Sequence, residues 1–117
     1  MEKANVIQDK SFDFALEIIQ LYKILKENKE YILSKQILRS GTSIGANVEE
    51  GIGGFSKNDF TAKMGIALKE ARETRYWLKL LDRSQLVNFD YSLFLKKIEE
   101  LINILTAIVK TSQNNKS

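Results

Sequence analysis

The chain has 117 residues, with 18 Lys and Arg against 15 Asp and Glu for a formal charge of +3, and it lacks His, Cys and Pro. That length suits one domain with its own core, and a hydrophobic fraction of 44% excludes a globally disordered chain. Without Cys there are no disulfides, zinc fingers or iron–sulfur clusters, and without His the usual general base and the commonest metal ligand are missing.

The segment Met1 to Lys10 is polar, carries both signs of charge and lacks the apolar stretch of a secretory signal. No apolar run approaches the ~18–20 residues of a membrane span. A cytoplasmic protein without membrane partners is expected.

The first helix is expected at about residues 9–26, capped by Asp9 or Ser11. Phe14, Ile18, Leu21 and Leu25 form a heptad stripe, and Phe12, Ala15, Leu16, Ile19 and Tyr22 widen it into a face that can touch two neighbours. The polar turn Glu27 to Glu30 favours an antiparallel second helix.

The second helix is expected at about residues 29–50. Ser40-Gly41-Thr42-Ser43-Ile44-Gly45-Ala46 argues against it on propensity, since an interior Gly costs about 1 kcal/mol against Ala. Periodicity argues for it. Leu33, Ile37, Gly41, Ile44 and Val48 keep 4-4-3-4 spacing through the run. The pattern predicts one continuous helix whose small residues let a neighbour approach closely, ended by Gly51, Gly53 and Gly54.

The third helix, about 57–84, opens with Ser56-Lys57-Asn58-Asp59, a capping-box pattern, and with Phe55 and Phe60 at the positions of a hydrophobic staple. Phe60, Met64, Ala67, Ala71, Thr74, Leu78 and Leu81 then repeat as a coiled-coil-like seam. Asn88 to Asp90 are expected to cap a fourth helix at about 89–111, with a broad apolar face from Tyr91 to Val109 and a frayed tail from Thr111. Short turns between four helices give an all-α, antiparallel up-down-up-down bundle.

Two stripes are candidates for function. Gln36, Ser40, Ser43, Asn47 and Glu50 form a polar stripe on helix 2, with Arg39 beside it; on helix 3, Glu70 and Glu73 lie in the middle of a stripe with Ile66, Trp77 and Leu80. Antiparallel pairing brings Arg39 to Glu70 or Glu73. The stripe reads as a partly buried network that fixes helix register, with a polar pocket as the alternative. The second stripe is basic. Residues 51–84 carry seven basic and four acidic groups, and Lys69, Arg72, Tyr76, Lys79 and Arg83 share one face at 3-4-3-4 spacing, flanked by Arg75. Cations in line with one aromatic suit RNA phosphates and a stacked base. The alternative is a solvated helix face, partly neutralised by a Lys69–Glu73 pair.

Catalytic chemistry finds little support. Ser40 and Ser43 have no His and no nucleophile elbow, and Gly41 to Gly45 lacks both the Lys-Ser/Thr ending of a phosphate loop and a preceding strand. A magnesium or manganese site on Glu50, Glu70 and Glu73 is the remaining metal option. No enzyme, cofactor or metal is expected; a purely structural or protein-interaction module is the rival to RNA binding.

Three segments carry a family resemblance: Gln36-Ile37-Leu38-Arg39-Ser40, then Ser43-Ile44-Gly45-Ala46-Asn47-Val48-Glu49-Glu50-Gly51, then Ser56 to Phe60. With Ala67 to Thr74 and Trp77-Leu78, they resemble the bacterial four-helix-bundle proteins linked to 23S rRNA intervening sequences, often labelled S23 ribosomal proteins. The likeness covers nearly the whole chain. It implies a ring-like homo-oligomer, a pentamer, because related proteins form pentameric barrels. It also implies a link to RNA. Members are encoded inside inserts in 23S rRNA genes, and the related accessory variability determinant of diversity-generating retroelements works with a reverse transcriptase and nucleic acid. It brings no catalytic activity, and despite the label it does not imply a true ribosomal subunit.

Overall fold

The computed structural model describes residues 2–114, which form four helices: α1 (Glu2–Glu27), α2 (Leu33–Ile52), α3 (Lys57–Ser84) and α4 (Ser92–Asn114). Consecutive helices pack against each other and α1 closes the ring on α4, so the chain is an antiparallel four-helix bundle. It is a rod of 50 × 21 × 20 Å.

The helix expected from about residue 9 starts at Glu2. Ala4, Ile7 and Ser11 continue the Phe14–Leu25 stripe toward the N-terminus at the same 3-4 spacing, and all three are buried. Ser11 is therefore an interior residue, not a cap; its hydroxyl donates to the Gln8 carbonyl at 3.3 Å.

α1 ends without glycine. Lys29 takes a left-handed φ of 63°, its N–H reaches the Lys26 carbonyl, and the Glu30 N–H reaches the Leu25 carbonyl. This is a Schellman closure with lysine where glycine is usual. The second helix starts at Leu33, later than the expected 29, because Glu30 leaves the turn to serve as its cap. The buried Glu30 carboxylate accepts the N–H of Ile32 at 3.1 Å and of Ser34 at 2.7 Å. It satisfies two of the orphan donors at the start of α2 and places negative charge at the positive end of the helix.

α2 runs unbroken through the small-residue segment. A Cβ on Gly41 would lie 2.9 Å from two γ carbons of Ile18, and one on Gly45 would lie 3.3 Å from the Ser11 carbonyl oxygen. The absence of side chains here lets α1 seat against the α2 backbone. Gly51 does not end the helix: it is buried, within reach of Lys63 and Met64 of α3, and α2 continues to Ile52.

Ser56 caps α3, accepting the Asp59 N–H at 3.1 Å. The hydrophobic staple is not formed: Phe55 is fully exposed while Phe60 is half-buried. α3 closes through Gln85, at a left-handed φ of 47°, whose N–H returns to the Leu81 carbonyl. The fourth helix begins at Ser92 instead of 89. Asp90 accepts the Ser92 hydroxyl and N–H, which holds its carboxyl below the usual carboxylate range. Tyr91 is wholly buried and donates to the Val87 carbonyl at 2.9 Å. Burial, helped by the charges of Asp82 and Glu30, pushes its phenol up. α4 extends past the expected 111 to Asn114, with the Ser112 hydroxyl bonded to Thr61 of α3; the remainder of the tail lies outside the described residues.

No helix of the described residues is long and apolar enough to cross a membrane.

Candidate nucleic-acid interface

The core side of α3 is fixed by Met64, Ala67, Ala71, Thr74, Leu78 and Leu81, all buried. With 3.6 residues per turn, Lys69, Arg72, Tyr76, Lys79 and Arg83 fall on the opposite side. All five are exposed, and Tyr76 keeps 56% of its surface open. The stripe extends for about 21 Å, at 1.5 Å per residue. None of its four cations pairs with a described carboxylate, whereas Arg39, Lys63 and Arg75 nearby all do. The Lys69–Glu73 pair weighed above does not form, because Glu73 is taken by Arg39.

Arg75 is separate from the stripe. It turns toward α4 and donates to Glu99 at 2.8 Å. One residue along a helix is a 100° rotation, which carries Arg75 from the open face to the α3–α4 seam.

The polar residues of α2 resolve into several small groups rather than one network. Arg39 reaches across to α3, bonding Glu70 at 3.2 Å and Glu73 in a second contact. The same Glu73 oxygen accepts the indole N–H of Trp77 at 2.9 Å. Trp77 in turn meets Tyr76 edge-on, with ring centroids 5.2 Å apart and 68° between planes. The sequence places this network partly away from water, yet the Arg39 side chain is 49% exposed. Glu50 pairs with Lys63 at 2.8 Å. Ser43 and Asn47 turn back on α2 itself, bonding the carbonyls of Arg39 and Ser43, and Gln36 is exposed. The buried polar contact between the two helices is a different one, Thr74 to Ser40 at 2.9 Å. By spacing Thr74 belongs to the apolar seam, and its hydroxyl is the signal in the sequence that points to this pair.

Among the described residues no three acidic side chains gather closely enough to hold a metal ion. Glu50, engaged with Lys63, does not join Glu70 and Glu73.

Residues 3–107 match the model of a family described as 23S rRNA-intervening sequence protein. Among solved structures, a crystal structure from Bacteroides thetaiotaomicron VPI-5482, a protein of unknown function from the S23 ribosomal protein family, is 48% identical. It superposes with a TM-score of 0.87 over 92% of this chain and 98% of that one. No curated protein is similar enough to this chain to count as a match.

Proposed function

Since this chain belongs to the 23S rRNA-intervening sequence protein family, we propose that it is a non-enzymatic RNA-binding protein whose contact surface is the outward face of α3. The observation that carries this reading is the set of four exposed cations, Lys69, Arg72, Lys79 and Arg83, unpaired among the described residues and in line on one helix. Cations already neutralised by carboxylates contribute little to an external field; these four are free to meet phosphates and release their counterions.

The reading includes a ring-like homo-oligomer, a pentamer by the family resemblance. Phe12 and Leu16 on α1 are 60% and 50% exposed, and the bundle also leaves Ile66 and Leu80 open at separate points along α3. Open apolar side chains on two different helices suit a head-to-tail contact, which closes into a ring when the rotation permits. Each RNA contact would then be repeated in every subunit, so a weak single site gives appreciable avidity.

The test compares wild type with the Arg72→Glu/Lys79→Glu double variant for RNA affinity at low and moderate salt, with solution mass measured in parallel. Wild-type affinity falls steeply with salt. The double variant binds more weakly on every RNA sequence, and its salt slope is smaller by about one for each phosphate it no longer neutralises. Equal binding by both proteins, or no binding by wild type at low salt, refutes the RNA reading. A solution mass equal to the 13.4 kDa protomer at micromolar concentration refutes the ring.

A further inference from the structure

The α2–α3 ion-pair network ends on the exposed aromatic of the basic face. Arg39 grips both Glu70 and Glu73; Glu73 holds the indole N–H of Trp77; Trp77 abuts Tyr76. Register between α2 and α3 is already set without this relay, by the buried Thr74–Ser40 bond and by the close seating of Gly51 against Lys63 and Met64. A half-exposed arginine adds little to stability there. What the second arm of Arg39 does is orient a carboxylate, and that carboxylate fixes the plane of the indole against which the Tyr76 ring rests. Tyr76 in turn lies between Arg72 and Lys79, about one helical turn away on either side.

We propose that Arg39, Glu73 and Trp77 are positioning residues that hold Tyr76 as a stacking platform for an unpaired base, so that the α3 face selects single-stranded RNA over duplex. This rests on the RNA-binding reading above. The chemistry follows from what each RNA form offers. Phosphates are common to both, and Arg72 and Lys79 bind either. A base face is open to a tyrosine only where the base is unpaired. A ring already held in place loses less conformational freedom when a base stacks on it than a freely turning one, which favours the single strand further.

The chain supplies its own probe, because Trp77 is its single tryptophan. The full chain is titrated with polyuridylate and with an RNA duplex of equal length, reading affinity from a dye on the RNA and the site from Trp77 emission. Wild type is expected to prefer polyuridylate, and polyuridylate alone to change Trp77 emission. Arg39→Met and Glu73→Met, which leaves the Trp77 indole N–H without its acceptor, are each expected to lower the ratio of single-strand to duplex affinity about three- to tenfold, a share of the full contribution of one stacked base. Tyr76→Phe keeps the ring face and should match wild type. Thermal melts accompany each variant; Glu73→Met, close in length to the native side chain, carries the test if Arg39→Met unfolds. An unchanged ratio in both variants, with binding still abolished by charge reversal at Arg72 and Lys79, overturns the platform and leaves the basic face standing. Equal weakening on both RNAs also overturns it, since the network then acts through the fold. Absence of any RNA binding by wild type removes the platform together with the reading on which it rests.

Discussion

Replacing Gly41 by alanine sets two known effects against each other at one site. In an exposed helix the change stabilises by about 1 kcal/mol, because glycine has more backbone freedom to lose and exposes more of its backbone. At Gly41 the new methyl would stand 2.9 Å from Cγ1 and Cγ2 of Ile18, closer than carbon atoms tolerate. Ile18 is fully buried and β-branched, so its γ carbons cannot swing aside without leaving their rotamer. Overpacking of this kind costs about 1–3 kcal/mol. The net expectation for Gly41→Ala is a loss of roughly 0–2 kcal/mol. Gly65 on α3 is the internal control: nothing lies within 4 Å of the place a methyl would take there, so Gly65→Ala should stabilise by about 1 kcal/mol. Urea unfolding at fixed protein concentration measures both, and a melting shift of about 3–6 °C per kcal/mol is expected at this chain length. A cycle with Ile18→Ala completes the test. Removing the γ carbons should make Gly41→Ala favourable, a coupling of about 1–3 kcal/mol. If Gly41→Ala stabilises the native protein as much as Gly65→Ala does, the close approach of α1 is not what requires glycine.

Three further substitutions follow from the same packing. Arg39→Ala should cost only about 1 kcal/mol in urea unfolding, because the guanidinium is half in water and its carboxylate partners keep 21% and 34% of their side-chain surface open to it. Glu30→Ala should cost about 1–2 kcal/mol, with Glu30→Gln intermediate, and should speed hydrogen exchange of the Ser34 amide, whose acceptor is removed. Tyr91→Phe should cost about 1–3 kcal/mol near neutral pH by stranding the buried Val87 carbonyl. Because the folded state raises the Tyr91 phenol, its protonated form favours the fold. Its pH dependence is therefore absent below the unfolded value near 10, and stability falls as pH rises above it. The phenylalanine variant should show a shallower alkaline decline than wild type, and parallel curves above pH 10 would contradict the assignment.

The continuity of α2 is legible because Leu33, Ile37, Gly41, Ile44 and Val48 keep a helical period that outweighs the propensity of two glycines, tertiary packing supplying the difference. The first turns of α1 are not, because Ala4 is too small and Ser11 too polar to stand out as core positions even though both are buried. Turns escape sequence reasoning where their chemistry departs from the usual markers. Lys29 and Gln85 take the left-handed conformation that normally signals glycine, and Gly51, which reads as a helix stop, lies inside α2. The cap of α2 comes from Glu30, two residues before its nominal cap position, a reach that no spacing rule identifies. In the candidate site, the partners of Arg39 can be read from antiparallel spacing, but its exposure cannot, since that depends on the rotation of α2 about its axis. The same holds for Arg75, adjacent to the basic stripe in sequence and turned to α4 in space.

The division of charge across the bundle leads to one more expectation. Five cations find carboxylates across helix boundaries among the described residues: Lys10 and Lys97 between α1 and α4, Arg39 and Lys63 between α2 and α3, and Arg75 between α3 and α4. The two α1–α4 pairs lie on the seam where the helices approach least closely. All five are at the surface and partly hydrated, so each contributes about 0–1 kcal/mol and guides alignment more than it holds the core. The apolar contacts inside, from Ile7 to Ile108, are not screened by salt. Among the described residues the outward cations of α3 have no such partners, and their attraction to phosphate rests on counterion release. Salt should therefore separate the two properties. Raising it from low to moderate concentration should leave the urea midpoint nearly constant while RNA affinity falls by orders of magnitude. A midpoint that drops in step with affinity would mean that the ion pairs hold the bundle together, and that the decline in RNA binding reports unfolding instead of the open face of α3.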